Sequence, residues 1–121
     1  MNLQSFSAIK GYEDRYLVSK KGEVYSIKKQ RLIKPRVTEK GYLTIELWAD
    51  YKRKVLKVHR LVADTFIDNP KGLKEVNHKD GDKQNNCVSN LEWCTRSENL
   101  KHAYALGLRK PTKPVRSEQW N

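Results

Sequence analysis

Leu43, Ile45 and Leu47 fall on every second residue, and side chains with a period of two share one face only in a β-strand. A polar stretch at residues 50–53 follows, and Val55, Leu56 and Val58 bring the chain back, so residues 41–60 read as a hairpin. Residues 15–27 repeat the plan, with Leu17 and Val18, a turn at Lys20 to Gly22, then Val24, Tyr25 and Ile27. The basic run "KKQRLIKPR" reads as a connector between the two. In "HRLVADTFIDNPKG" the period changes: Leu61, Val62, Thr65 and Phe66 lie on one helical face, and Asn69-Pro70 is the expected stop.

The stretch "EVNHKDGDKQNNCVSNLEWCTRSENLKHAY", residues 75–104, is rich in asparagine, which is costly to bury and so points to turns, caps or a polar site. Residues 74–78 read as a short strand, "KDGDKQNN" as a turn-rich loop, and "NLEWCT" as a second strand. Thr95 with Glu98 three residues on forms a T-x-x-E capping box, which starts a helix "RSENLKHAYAL" that Gly107 ends. Strand, loop, strand, helix is a ββα unit. Asn99 then sits in the first helical turn, able to face the strand that carries Asn77 and His78. Trp93 and Tyr104 are expected as core aromatics of the unit. The fold class is therefore α+β: a small N-terminal β-rich module (1–57), a ββα unit (58–106) and a basic C-terminal tail (107–121).

Charge points to a phosphate-bearing partner, with ordinary solubility charge as the plainer reading. The 121 residues carry a net charge of +11, and a phosphate backbone is the usual counterpart of such an excess. Residues 1–60 hold fifteen Lys and Arg against six Asp and Glu, while residues 61–105 hold six against seven. Residues 106–121 hold four against one, so a near-neutral middle sits between basic arms, and Lys28, Lys29, Arg31, Lys34 and Arg36 in the connector are candidates for contact with a phosphate backbone. Arg60, Arg96, Lys101 and His102 are further candidates around the unit itself. No apolar run approaches the roughly 20 residues of a membrane span. The N-terminus lacks a signal-peptide core, so an intracellular protein is expected. Cys87 and Cys94 are too few for a disulfide framework. No protein partner is evident.

At "VNHKDGDKQNN…SNLEWCT…EN" the chain resembles the HNH endonucleases, in the phage and intron homing-endonuclease branch where the last H of the name is an asparagine. "IKGYEDRYLVSKKGEVYSI" resembles the NUMOD-type module that precedes such units, and with "VHRLVADTF" the resemblance covers residues 9–104. It implies a ββα-metal nuclease that hydrolyses a phosphodiester of double-stranded DNA. His78 takes the general-base position, suited to an imidazole because its pKa lies near working pH. Asn77 and Asn99 take the metal-ligand positions for one divalent cation, Mg²⁺ first and Mn²⁺ as the alternative. Asn90 matches the middle N, which completes the site by bracing the loop. One such site per chain implies nicking as a monomer. Many HNH proteins carry Asp where this chain has Asn77; a neutral ligand weakens the hold on the cation, so Asn77→Asp is expected to lower the Mg²⁺ requirement.

Duller readings exist for the same residues. His78, Cys87, Cys94 and His102 are four potential zinc donors, although zinc modules favour ligands paired two to four residues apart and these are not. A catalytically silent nucleic-acid-binding protein on the same scaffold also satisfies the charge. His59 reads as a packing or phosphate-contacting residue, and His102 as a surface residue that can approach metal or DNA.

Overall fold

The computed structural model describes residues 3–107. Strands β1 (Phe6–Ala8), β2 (Tyr16–Ser19), β3 (Val24–Ser26) and β4 (Arg31–Leu32) form an antiparallel sheet in that order. A second antiparallel sheet holds β5 (Arg36–Val37), β6 (Leu43–Ala49) and β7 (Lys52–Lys57). Helix α1 (Val58–Phe66) follows directly, then the hairpin of β8 (Glu75–His78) and β9 (Leu91–Cys94), then helix α2 (Arg96–Ala105).

Both expected hairpins form. In the β6–β7 hairpin the ladder runs to Ala49 opposite Lys52, so the turn is the two residues Asp50 and Tyr51. Both have positive φ, 53° and 64°, the type I′ geometry that matches strand twist. Ile45 and Leu47 face inward as their alternation requires. The basic connector is more ordered than its composition suggests. It supplies β4, with Leu32 opposite Tyr25, and β5, with Val37 opposite Leu43, so it edges both sheets. β1 pairs with β2 at the other edge of the first sheet. Strands of two or three residues are too short to display a period, which is why the sequence pattern missed them.

Helix α1 is the centre of the molecule. Val58, Leu61, Val62 and Ala63 are buried, and the helix packs on β2, β6 and β7 from the N-terminal part and on β8 and β9 from the ββα hairpin. Val18, Val24, Ile45, Leu47, Val76 and Leu91 complete a continuous core around it. The helix ends at Phe66, three residues short of the expected Asn69-Pro70 stop, and Ile67 is already extended. Asn69 instead closes the following loop, donating from Nδ2 to the Leu73 carbonyl and accepting from the Leu73 N–H. Trp93 packs on the core and donates from Nε1 to the Ile67 carbonyl.

The capping box on α2 is present: Thr95 Oγ1 accepts from the Glu98 N–H at 3.1 Å, and Glu98 accepts from the Thr95 N–H at 2.8 Å. These bonds from Thr95 hold the Glu98 carboxyl below its ordinary pKa. Tyr104, however, is exposed and not a core residue. Helix α2 rests on the four-residue strand β8, which is too short to cover the helix to its C-terminal end.

The two parts of the chain meet closely at the β2–β3 turn. Gly22 has φ of +88°, and a Cβ there would lie 3.0 Å from the Asn86 Cβ. Gly11 has nearly the same φ, +86°, with nothing within 4 Å. Gly11→Ala should therefore cost about 1 kcal/mol, the backbone strain alone. Gly22→Ala should cost about 1–3 kcal/mol more, from the displaced Asn86 loop. Urea unfolding of both variants measures the difference.

Candidate active site

The loop between β8 and β9 is held by Asn90. Its Nδ2 donates to Asp80 Oδ1 and to the Asn85 carbonyl, both at 2.9 Å, and its Oδ1 accepts from the Asp80 N–H at 3.1 Å. Its carbonyl accepts from the Lys79 N–H, continuing the hairpin ladder past His78. Asp80 also accepts from the Asp82 N–H and from Asn85 Nδ2, and these donors, Asn85 foremost, lower its carboxyl pKa. Asn90 therefore ties Asp80 and Asn85 together across the loop.

His78 ends β8 and is 6% exposed. Its Nε2 lies 2.8 Å from Oδ1 of Asn86, itself buried. An amide oxygen only accepts, so Nε2 carries the proton and Nδ1 is the basic atom. The ring packs against His59, centroids 4.8 Å apart, and His59 stacks on Tyr42 at 5.3 Å. Burial lowers the His78 pKa, opposed by the Asn86 bond and the carboxylates of Asp80 and Asp82. His59 is pushed down to about 3, by burial first and then by His78, Lys57 and Arg60. A neutral His59 is thus a packing residue behind the candidate base, the first of the two readings of the sequence.

Asn77, His78, Asn99 and His102 line one pocket of about 180 Å³, together with Tyr42 and Lys83. Asn77 Nδ2 donates to Glu92 Oε2 at 2.8 Å, and Asn99 Nδ2 lies 3.4 Å from Glu75 Oε1. A carboxylate only accepts, so each amide nitrogen faces its glutamate and each Oδ1 is the remaining atom. Neither Oδ1 is bonded to any described residue. Two free amide oxygens in one polar pocket are hard donors of the kind Mg²⁺ and Mn²⁺ take, with water and phosphate oxygens to complete the shell. Among the described residues no three of His, Cys, Asp and Glu gather as a metal group. The zinc reading fails on that and on Cys94, which is buried and whose thiol burial and nearby glutamates push up to about 11.

The other candidates spread over the surface. Lys28, Lys29, Arg31, Lys34, Arg36, Arg96 and Lys101 are exposed. Arg60 is partly committed: it donates to the Lys74 carbonyl at 2.8 Å and lies over the Trp93 ring. His102 Nε2 contacts the Lys79 carbonyl at 2.9 Å at the pocket wall. Sequence reasoning missed Asn86, Tyr42, Lys83, Glu75 and Glu92. Lys83 Nζ and Lys57 Nζ stand 4.8 and 4.7 Å from the Tyr42 centroid, placing two cations beside the pocket. The directly opposed register of Asn77 and Glu92 was the one available signal, readable once the hairpin is drawn.

Family models match this chain in two segments: a NUMOD4 motif over residues 5–48 and an HNH endonuclease over residues 56–101. DNA endonuclease I-HmuI of Bacillus phage SP01 is 43% identical over 99 residues, 82% of this chain and 57% of that protein. H-N-H endonuclease F-TflII of Escherichia phage T5 is 35% identical over 100 residues, 81% of this chain and 51% of that protein. An uncharacterized HNH endonuclease, L245, of Acanthamoeba polyphaga mimivirus is 42% identical over 89 residues, 74% of this chain and 27% of that protein. A solved structure concerned with DNA binding and cleavage by the HNH homing endonuclease I-HmuI superposes with a TM-score of 0.80 at 42% identity, covering 88% of this chain and 62% of that one. The chain spans little more than half the length of these relatives, or less.

The depressed His59 pKa has a consequence for stability. The unfolded chain protonates this residue near its ordinary value of 6.5, whereas the folded protein resists until about 3. Its contribution is therefore complete above pH 6.5 and lost as pH falls toward 3. His59→Phe should flatten the acid-side decline of stability between those limits, as read from urea midpoints across that range.

Proposed function

The chain belongs to the HNH endonuclease family, and we propose that it is a divalent-metal-dependent endonuclease hydrolysing one phosphodiester of double-stranded DNA per active site. The observation that carries the reading is a buried imidazole, His78, lining one pocket with Asn77 and Asn99, whose amide nitrogens are turned to Glu92 and Glu75. A base and two hard-oxygen donors in one cleft fit phosphodiester hydrolysis better than binding alone.

In this reading His78 Nδ1 accepts the proton of the attacking water, while the Asn86 bond at Nε2 fixes the tautomer and the ring's direction. Asn77 and Asn99 would hold the cation through Oδ1. When bound there, a divalent cation would supply the positive charge that polarises a phosphate and favours departure of its 3′ oxygen. Asn90 keeps the loop closed so that His78 stays at the pocket. Lys83, beside Tyr42, faces the same pocket and supplies positive charge for the phosphate backbone. The β-rich N-terminal module grips the duplex through Lys28, Lys29, Arg31, Lys34 and Arg36, with Arg60, Arg96, Lys101 and His102 as contacts nearer the cut. The division is a module at 1–57 and a nuclease unit at 58–106. Encoded by a phage or mobile element and acting as a monomer in the cytoplasm of the host cell, it nicks one strand.

Supercoiled plasmid, incubated with protein and either Mg²⁺ or chelator, tests the activity: open circles should appear only with the metal. His78→Ala should lower nicking about a hundredfold or more with little change in DNA affinity. Nicking close to that of the parent protein would remove His78 from the role of base. Replacing Lys28, Lys29 and Arg31 together should weaken DNA binding and flatten its dependence on salt, since fewer counterions are released. An unchanged slope would put the DNA on another face. Binding with no metal-dependent cleavage under any condition would leave a silent DNA-binding protein.

A further inference from the structure

Asn77 and Asn99, the proposed cation-holding residues, are served by the same arrangement twice. Each amide nitrogen points at a glutamate of the β8–β9 hairpin: Asn77 at Glu92, directly across the ladder, and Asn99 at Glu75, two residues before Asn77 on β8. Asn77 is 6% exposed, so its amide has little water to satisfy it, and Glu92 Oε2 at 2.8 Å is the partner of its Nδ2. A carboxylate accepting from an amide N–H orients Oδ1 away from itself and draws electron density toward that oxygen. It also leaves a full negative charge one side chain behind the donor. A site whose two protein ligands are formally neutral therefore has two carboxylates directly behind them.

We propose that Glu92, assisted by Glu75, is a positioning residue for the divalent cation: it fixes the Asn77 carbonyl toward the pocket and supplies the negative charge that an aspartate at position 77 would otherwise carry. This rests on the reading of Asn77 and Asn99 as cation ligands. It also changes the expectation for Asn77→Asp. In this fold that substitution sets a carboxylate against the Glu92 carboxylate, where two like charges cannot both remain ionised without cost. The charge-conserving change is the exchange of both groups, Asn77→Asp with Glu92→Gln, in which the new glutamine amide donates to the new aspartate.

The test is Mn²⁺ binding to the full chain, read from the free-ion signal in electron paramagnetic resonance. It is done with and without a short DNA duplex, in a His78→Ala background so that the duplex persists. Glu92→Gln preserves an acceptor for Asn77 Nδ2 and removes only the charge, and Glu92 lies at the surface, so the fold is not at stake. It should weaken Mn²⁺ binding about tenfold or more, and the double exchange should restore it to within a few-fold of the parent. If the parent binds Mn²⁺ and Glu92→Gln binds it equally well, the role of Glu92 is overturned while the cation site stands. A double exchange as weak as Glu92→Gln also overturns it, because charge at the pair would then not decide affinity. A parent protein that binds no Mn²⁺, even on DNA, removes the cation site and the inference together.

Discussion

The hydrogen bonds of Asn90 are the constraint on which the site depends. The segment from Lys79 to Cys87 has no helix or strand, only turns, and little of it is apolar, so packing cannot hold it. Asn90 satisfies the Asp80 N–H and the Asn85 carbonyl with one side chain, and its own backbone extends the ladder to Lys79. A side chain with both donor and acceptor atoms is required there, since an aspartate lacks the donors and a leucine lacks both. Once the loop is fixed, Asn86 falls beside His78, and the imidazole is oriented by a neighbour that is itself buried.

Burial sets the protonation chemistry of that imidazole. Desolvation lowers the pKa of His78, while the Asn86 bond and the carboxylates of Asp80 and Asp82 oppose the shift. His59, one ring further in, has no such opposition and is pushed much lower. Two histidines in contact thus differ in proton affinity because of what surrounds them: His78 lines a polar pocket beside Asp80 and Asp82, while His59 stacks on Tyr42 near Lys57 and Arg60.

Much of this was legible in the sequence. The alternation of Leu43, Ile45 and Leu47, the T-x-x-E box at Thr95, and the order strand, loop, strand, helix each rest on local rules, and each appears in the structure. The two-residue strands at Arg31 and Arg36 were hidden because their partners lie across sheets and nothing in a basic run marks pairing. Tyr104 was misassigned because helical spacing says which face a residue occupies but not whether a neighbour reaches it. Tyr42, Asn86 and Glu92 escaped for a related reason. Their roles come from contacts with residues 8, 15 or 36 positions away, and asparagines in a turn-rich run look alike until the fold selects one of them.

The contacts that cross between the two parts of the chain bear on how far the ββα part is separable. Tyr42 and the Lys20–Gly22 turn lie within the segment matched to the NUMOD4 motif, yet Tyr42 lines the His78 pocket and the Lys20 carbonyl accepts from the Val88 N–H. Gly22 leaves no room for a side chain because Asn86, the partner of His78, is already there. Helix α1 buries its faces against both halves at once. The β-rich part is therefore a wall of the candidate site as well as its proposed grip on DNA, and a displacement of the β2–β3 turn would reach the candidate base through one residue, Asn86.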